Sequence, residues 1–154
     1  YELHALDPKV LRSNIAVVPQ DFRLIGGTLF ENIKGASNAT TDEIIAAAKA
    51  ACIWKDISEL PMKLHTLTSS QFSAFSGGQI QRIGIARALY HESDILIFDE
   101  STNALDINSE EKIIEEIKNL KNIKTIIMIS HKMSILKICD KVYELKNKTL
   151  NLSN

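Results

Sequence analysis

Short apolar runs alternate with amphipathic segments along this chain. Three of the runs have strand length and are rich in β-branched residues: Ile15–Val18, Ile95–Phe98 and Thr125–Ile129. Near-continuous apolar runs of this kind are typical of parallel strands that are buried on both faces. The pattern therefore predicts an α/β fold, in which parallel core strands are flanked by helices.

The segments between these runs carry helical periodicity and capping residues. We predict a short helix that begins near Thr28, a helix over Thr40–Leu60 with Thr41 or Asp42 as its N-cap, and a helix over Gly77–Tyr90. The segment "INSEEKIIEEIKNLK" is amphipathic, and its apolar side consists of Ile113, Ile114, Ile117 and Leu120. A short helix in "MSILKICD" and a hairpin that turns at Lys146–Lys148 complete the prediction. We divide the chain into residues 1–36, an α-helical subdomain at 37–92, and an α/β part at 93–154.

Composition narrows the class of protein. The 154 residues are 45% hydrophobic and 24% charged, with a net charge of −1, which fits one soluble-type domain with a sizeable core. The balanced charge gives no footprint for nucleic-acid binding. No apolar run reaches the roughly 18 residues that a membrane-spanning helix needs. Cys52 and Cys139 lie in apolar, helix-like contexts, and we predict buried thiols of a reducing compartment.

Polar side chains follow each of the three predicted strands. Gln20 comes after the first strand, Asp99 and Glu100 after the second, and Ser130 and His131 after the third. Ligands of open α/β sheets bind beyond the carboxyl ends of the strands. Asp99 is suited to hold Mg²⁺ through water, and Glu100 to polarise a water molecule. The alternatives are strand caps and a surface accident.

The stretch "FSGGQIQR" has the features of a phosphate-binding turn. Ser76 and Gln79 have the spacing of a capping box. Gly77 and Gly78 would let backbone N–H groups approach a ligand, and the start of the helix adds its positive dipole end. The alternative is a capping box that simply opens a core helix.

These motifs together resemble those of the ATP-binding cassette (ABC) ATPases. "FSGGQIQRIGIARAL" resembles the signature motif, and "ILIFDE" resembles the Walker B segment with its catalytic Glu. "STNALD" is similar to the D-loop, "IMISHK" to the switch-His segment and "VVPQD" to the Q-loop. The five motifs occur in the order of the family, and the resemblance covers essentially the whole chain.

The resemblance implies a P-loop NTPase-like domain that works as a head-to-tail dimer with ATP and Mg²⁺. It implies that the nucleotide of the partner domain contacts Ser76, Gly77, Gly78 and Gln79, and that Asp106 lies at the dimer interface. It implies that the domain's own nucleotide is served by the catalytic residues Glu100, His131 and Gln20 and by the metal-binding residues Asp99 and Gln20.

The chain contains no G-x-x-x-x-G-K-[ST] phosphate loop. In the family, this Walker A loop lies upstream of the Q-loop. We therefore expect this chain to be a C-terminal portion of the domain, a folding unit or interaction module that is inert towards ATP by itself.

The stretch "DFRLIGGTLFENI" resembles the exporter branch of the family. That resemblance implies a transmembrane domain as partner, export of a substrate, and a location on the cytoplasmic face of the inner membrane. One departure is "TSSQFSAF", which stands where exporters usually carry a V-G-E-x-G-like stretch. The alternative is a soluble ABC-type ATPase of DNA repair or translation, but the gap between Gln20 and Ser76 shows no coiled-coil heptads.

Overall fold

A three-stranded parallel sheet is the centre of the fold. The computed structural model of the chain describes residues 5–69 and 75–153. The strands β1 (Ile15–Val18), β2 (Ile95–Asp99) and β3 (Thr125–Ile129) lie in the order β1-β2-β3. Val18 pairs with Phe98, and Asp99 pairs with Ile129. The three predicted strands are confirmed, and their carboxyl ends meet at one edge of the sheet.

Seven helices and a hairpin accompany this sheet in the described residues. The helices are α1 (Pro8–Asn14), α2 (Leu29–Lys34), α3 (Thr41–Ala50), α4 (Trp54–Glu59), α5 (Gly77–Tyr90), α6 (Ile107–Leu120) and α7 (Met133–Leu136). A 3-10 turn covers Lys63–His65, and the hairpin consists of β4 (Val142–Lys146) and β5 (Thr149–Ser153). Helix α1, which Asp7 caps and which buries none of its residues, was not predicted. None of the helices described is long and apolar enough to span a membrane.

The single helix predicted over Thr40–Leu60 is two helices, and its N-cap is Thr40 rather than Thr41 or Asp42. Cys52 has a φ of 56° and ends α3. The Cys52 N–H donates to the Lys49 carbonyl, and the Ile53 N–H donates to the Ala48 carbonyl. These two bonds form a Schellman motif. The sequence concealed this helix end because a cysteine stands at the left-handed position that glycine usually occupies.

Only one face of the sheet is covered by the described part of the chain. Val18, Leu96 and Phe98 are buried in the core, together with residues of α2, α3, α5 and α6. Val17 and Ile129, on the other face, are 51% and 50% exposed. Strand residues alternate between the two faces, so a continuous apolar run makes the second face of the sheet apolar as well. The expectation that both faces are covered is therefore wrong for the residues described.

The remaining predictions concern the hairpin and the cysteines. The hairpin predicted to turn at Lys146–Lys148 is confirmed. Asn147 and Lys148 have φ values of 51° and 63°, which fit a type I′ turn. Cys52 and Cys139 are free and half-buried, and burial raises the pKa of both thiols. The prediction of buried thiols in helices is therefore wrong for both residues. Cys52 stands in the turn between α3 and α4, and Cys139 lies three residues beyond the end of α7 at Leu136.

Candidate functional site

The polar residues predicted at the strand ends lie at one edge of the sheet. Asp99 is the last residue of β2 and is half-buried, whereas Gln20 lies exposed just beyond β1. The Glu100 N–H donates to the Ile129 carbonyl at 2.9 Å, so the chain leaves β2 while it is still bonded to β3. Because His131 follows β3 by two residues, this bond keeps Glu100 and His131 close together.

Glu100 is held by contacts on both carboxylate oxygens. His131 Nε2 lies 3.2 Å from Oε1, and Asn103 Nδ2 donates to Oε2 at 3.1 Å. The side chain of Glu100 is 22% exposed and that of His131 is 93% exposed. Glu100 also has a φ of 45°, an unfavourable conformation for a residue with a Cβ. Such backbone strain, together with two directed contacts, is typical of functional positions.

Asn103 was not among the predicted site residues. Its own N–H donates to the Glu100 carbonyl at 3.2 Å, so residues 100–103 form a turn that returns the amide to the carboxylate. The sequence signal was available, because Asn is favoured in turns and stands three residues after a strand-end carboxylate. Its role became visible only when the turn placed the two side chains together.

The donor groups at this edge fit a Mg²⁺ ion that takes only some of its ligands from the protein. Residues 5–69 and 75–153 contain no group of three or more His, Cys, Asp or Glu that could hold a metal ion. Mg²⁺ is nevertheless commonly bound by one or two protein oxygens, with water and substrate phosphate as the remaining ligands. The Asp99 carboxylate and the Gln20 amide oxygen are ligands of the right chemical type.

The turn formed by Ser76, Gly77, Gly78 and Gln79, called the signature turn below, has the predicted capping box. The Ser76 hydroxyl accepts from the Gln79 N–H at 3.3 Å, and the Gln79 side-chain oxygen accepts from the Ser76 N–H at 2.9 Å. At Gly77, a Cβ would meet nothing within 4 Å in the described part of the chain, whereas at Gly78 it would lie 2.8 Å from the Ala104 carbonyl oxygen. Gly77 therefore leaves room for a ligand, while Gly78 is required by the packing of the turn against the segment after Glu100.

A network of polar side chains links the turn to the start of α6. Gln79 Nε2 donates to Asp56 at 2.8 Å. Arg82, which is 11% exposed, bridges Asp56 at 3.4 Å and Asp106 at 3.3 Å. Asp106 caps α6 by accepting from the Ser109 N–H, and these bonds with Ser109 lower the pKa of Asp106. Asp56 and Arg82 were not predicted as site residues, although Arg82 belongs to the stretch "FSGGQIQR".

A second network holds the segment that carries His131. Lys132 Nζ donates to the Thr102 carbonyl at 2.9 Å and pairs with the Glu110 carboxylate. The Ser134 hydroxyl donates to the other oxygen of Glu110 at 3.0 Å. Lys132 thus links the segment after Glu100 and the segment that carries His131 to α6.

Comparison with known proteins agrees with this arrangement. The ABC transporter family matches residues 2–103. The chain belongs to the ABC transporter family. It is 37% identical over 142 residues to the ATP-dependent lipid A-core flippase of Paraburkholderia xenovorans, an alignment that covers 92% of this chain and 23% of the flippase. It is 39% identical over 146 residues to the ABC transporter ATM1 of Toxoplasma gondii, covering 94% of this chain and 13% of that protein.

A solved structure gives the same result for the fold. The chain is similar to a bacterial Atm1-family ABC exporter with ATP bound, with a TM-score of 0.89 and 33% identity. The match covers 97% of this chain and 26% of that one. The family and the exporter resemblance predicted from the motifs are confirmed, and the soluble alternative is not favoured. Family membership implies ATP binding and association with a membrane transporter. This chain spans about a quarter or less of the length of the relatives it matches.

Proposed function

We propose that this chain is part of an ATP-hydrolysing domain that drives the export of a substrate across a membrane. The observation that carries the proposal is Glu100, whose carboxylate is held between His131 and Asn103 at the carboxyl ends of the parallel strands. The edge of such a sheet is where α/β proteins bind their ligands.

Glu100 is the group that orients and activates the attacking water. Its carboxylate is partly exposed and fixed in direction, as a general base requires. His131 is far more exposed, so its imidazole can reach both the carboxylate and a phosphate group placed above the strand ends. Asn103 supports this step by keeping the carboxylate from turning away.

Asp99 and Gln20 serve the metal ion. When Mg²⁺ is bound, it neutralises the charge that develops on the phosphate oxygens. Asp99 is half-buried, and its place at the end of β2 fixes its backbone. Gln20 lies beyond the neighbouring strand and is exposed, so its amide is free to meet the ion or the water.

The signature turn serves a nucleotide carried by a second domain. Gly77 and Gly78 begin a helix of 14 residues that Ser76 caps, and the N-terminus of such a helix favours an anion. Gln79 uses its side chain to close the capping box and to bond Asp56, so it acts by holding the turn in shape. Arg82, in the helix that begins with this turn, pairs with Asp106. Asp106 would meet the partner domain there.

The whole transporter needs further parts. A Walker A loop, supplied by residues outside these 154, would carry the phosphates, and a transmembrane domain would carry the substrate. The domain would work as a pair on the cytoplasmic face of the membrane. By itself, the 154-residue chain should bind ATP too weakly to turn it over.

The test is a Glu100→Gln substitution in the intact transporter. We expect the rate of ATP hydrolysis to fall by about 10²–10⁴-fold, the usual contribution of a positioned general base, while ATP binding is retained. Phosphate release and nucleotide binding are measured on the same purified protein. Glu115→Gln, on the exposed face of α6, is the matched control and should leave both unchanged. Unchanged hydrolysis by Glu100→Gln would contradict the proposed role.

A further inference from the structure

Helix α5 grips the segment that carries Gln20. Gln81 is 5% exposed, and its side-chain Nε2 donates to the Pro19 carbonyl at 3.2 Å. Pro19 directly precedes Gln20, so this bond fixes the backbone on the upstream side of the predicted metal-binding residue. Without this acceptor the buried amide of Gln81 would be left with an unpaired donor, which is energetically costly.

The same helix meets the segment again on the downstream side. The ring of Phe22 lies over Gly84, where a Cβ would be 2.7 Å from the ring's Cγ and 2.9 Å from Cδ1 and Cδ2. Real Cβ atoms do not approach ring carbons so closely, so the contact depends on glycine. Glycine within a helix is unfavourable relative to alanine. The close approach of Phe22 gives a physical reason for glycine at this position.

The two contacts share one face of α5. Gln81 and Gly84 are three residues apart, which places them side by side along the helix. Farther along, Asn32, which is fully buried in α2, accepts from the Ile25 N–H at 2.8 Å and donates to the Ile25 carbonyl at 3.0 Å. The segment is therefore anchored before Gln20, just after it and again at Ile25.

We propose that Gln81, Gly84 and Phe22 form a clamp through which α5 sets the position of Gln20. Helix α5 begins with the signature turn at Ser76. The clamp therefore makes Gln20 and the signature turn parts of one rigid unit, although they serve different nucleotides. The three clamp residues are positioning residues, which act on Gln20 through the Pro19 carbonyl and the ring of Phe22. The inference rests on the proposed function for the role of Gln20, but the contact itself can be tested without activity.

The first experiment is a double-mutant cycle in the 154-residue chain, followed by thermal unfolding. In an unhindered helix interior, Gly84→Ala should raise the melting temperature by about 2–4 °C. With Phe22 present, we expect it to lower the melting temperature. In a Phe22→Ala background, the same change should raise it. A rise in both backgrounds would overturn the clamp. If Gly84→Ala alone fails to fold, recovery of folding in the double variant supports it.

The second experiment measures ATP hydrolysis by the intact transporter as a function of Mg²⁺ concentration. Gln81→Leu keeps the size of the side chain and removes its bond to Pro19. We expect the Mg²⁺ concentration for half-maximal rate to rise about tenfold, as for other residues that orient a metal ligand. Ser58→Ala, which removes a hydroxyl bonded to the Lys55 carbonyl within α4, should leave this concentration unchanged. A merely structural role for Gln81 would lower the maximal rate through loss of folded protein without shifting the Mg²⁺ dependence, which would refute the functional part of the proposal.

The two experiments separate the clamp from the proposed function. If the unmodified transporter hydrolyses no ATP, the proposed function fails, while the melting cycle still decides whether the clamp exists. If it does hydrolyse ATP and Gln81→Leu leaves the Mg²⁺ dependence unchanged, the clamp fails as a positioning device and the proposed function stands.

Discussion

Replacing Arg82 with methionine is the sharpest test of the network behind the signature turn. Arg82 is 11% exposed, and its guanidinium joins Asp56 of α4 to Asp106 and Ser109 at the start of α6. Methionine keeps most of the apolar stem and removes the charged fork. The change therefore isolates the polar contacts from the packing that the stem contributes.

The magnitude follows from exposure and distance. A hydrogen bond to a charged group contributes about 1.5–3 kcal/mol when it is well buried. The bond to Asp56 is 3.4 Å long and its carboxylate is 34% exposed, so solvent screening lowers its contribution. Arg82 Nε is buried with no partner in the described part of the chain, which offsets part of the gain. We therefore expect Arg82→Met to lower the free energy of unfolding by about 1–1.5 kcal/mol.

Urea unfolding of the 154-residue chain, followed by circular dichroism at pH 7, measures this loss. Lys118→Met is the matched control, because Lys118 also pairs with a carboxylate but is 45% exposed, and its loss should be within about 0.5 kcal/mol. Arg82→Lys should fall between wild type and Arg82→Met, since lysine retains the charge but not the planar fork. The loss should shrink in 1 M NaCl, where charges are screened.

Equal urea midpoints for Arg82→Met and Lys118→Met would refute the reasoning. Such a result would mean that the buried position of Arg82 contributes no more than an exposed ion pair. It would also remove the argument that α4 and α6 are tied together through the helix that begins with the signature turn.

Two further predictions concern the ends of α5 and α6. Ser76→Ala removes the hydroxyl that accepts from Gln79, and should cost about 1 kcal/mol in urea unfolding, whereas an equal midpoint would mean that the box does not form. Bonds with Ser109 lower the folded-state pKa of Asp106, so its contribution is present above the unfolded pKa, near 3.8, and is lost as the pH falls through the lower folded value. Stability measured between pH 5 and pH 2 should therefore fall less in Asp106→Asn than in wild type, and parallel curves would contradict this.

Much of the candidate site could be predicted from the sequence because its signals are local. A strand is visible as a short apolar run, and a parallel sheet brings the ends of its strands to one edge. Asp99, Glu100 and His131 could therefore be assigned before their contacts were known. The capping box at Ser76 was equally visible, since both of its partners lie within four residues.

Two local features were missed, one because its usual residue is absent and one because it has no buried face. The end of α3 has Schellman geometry with Cys52 at the position where glycine is the usual signal. Helix α1 buries none of its residues, so it leaves no apolar periodicity to detect. In both cases the backbone hydrogen bonds, rather than the side-chain pattern, define the element.

By itself, then, the sequence determined the three parallel strands, the polar residues that follow them, and helices α5 and α6, since these depend on periodicity and neighbouring residues. Only the tertiary structure decided which side chains meet. The contacts of Asn103 and His131 with Glu100, of Arg82 with Asp56, and of Phe22 with Gly84 depend on strand register and helix packing. Most of these contacts join residues far apart in the chain, and no local pattern specifies the distance between such residues in space.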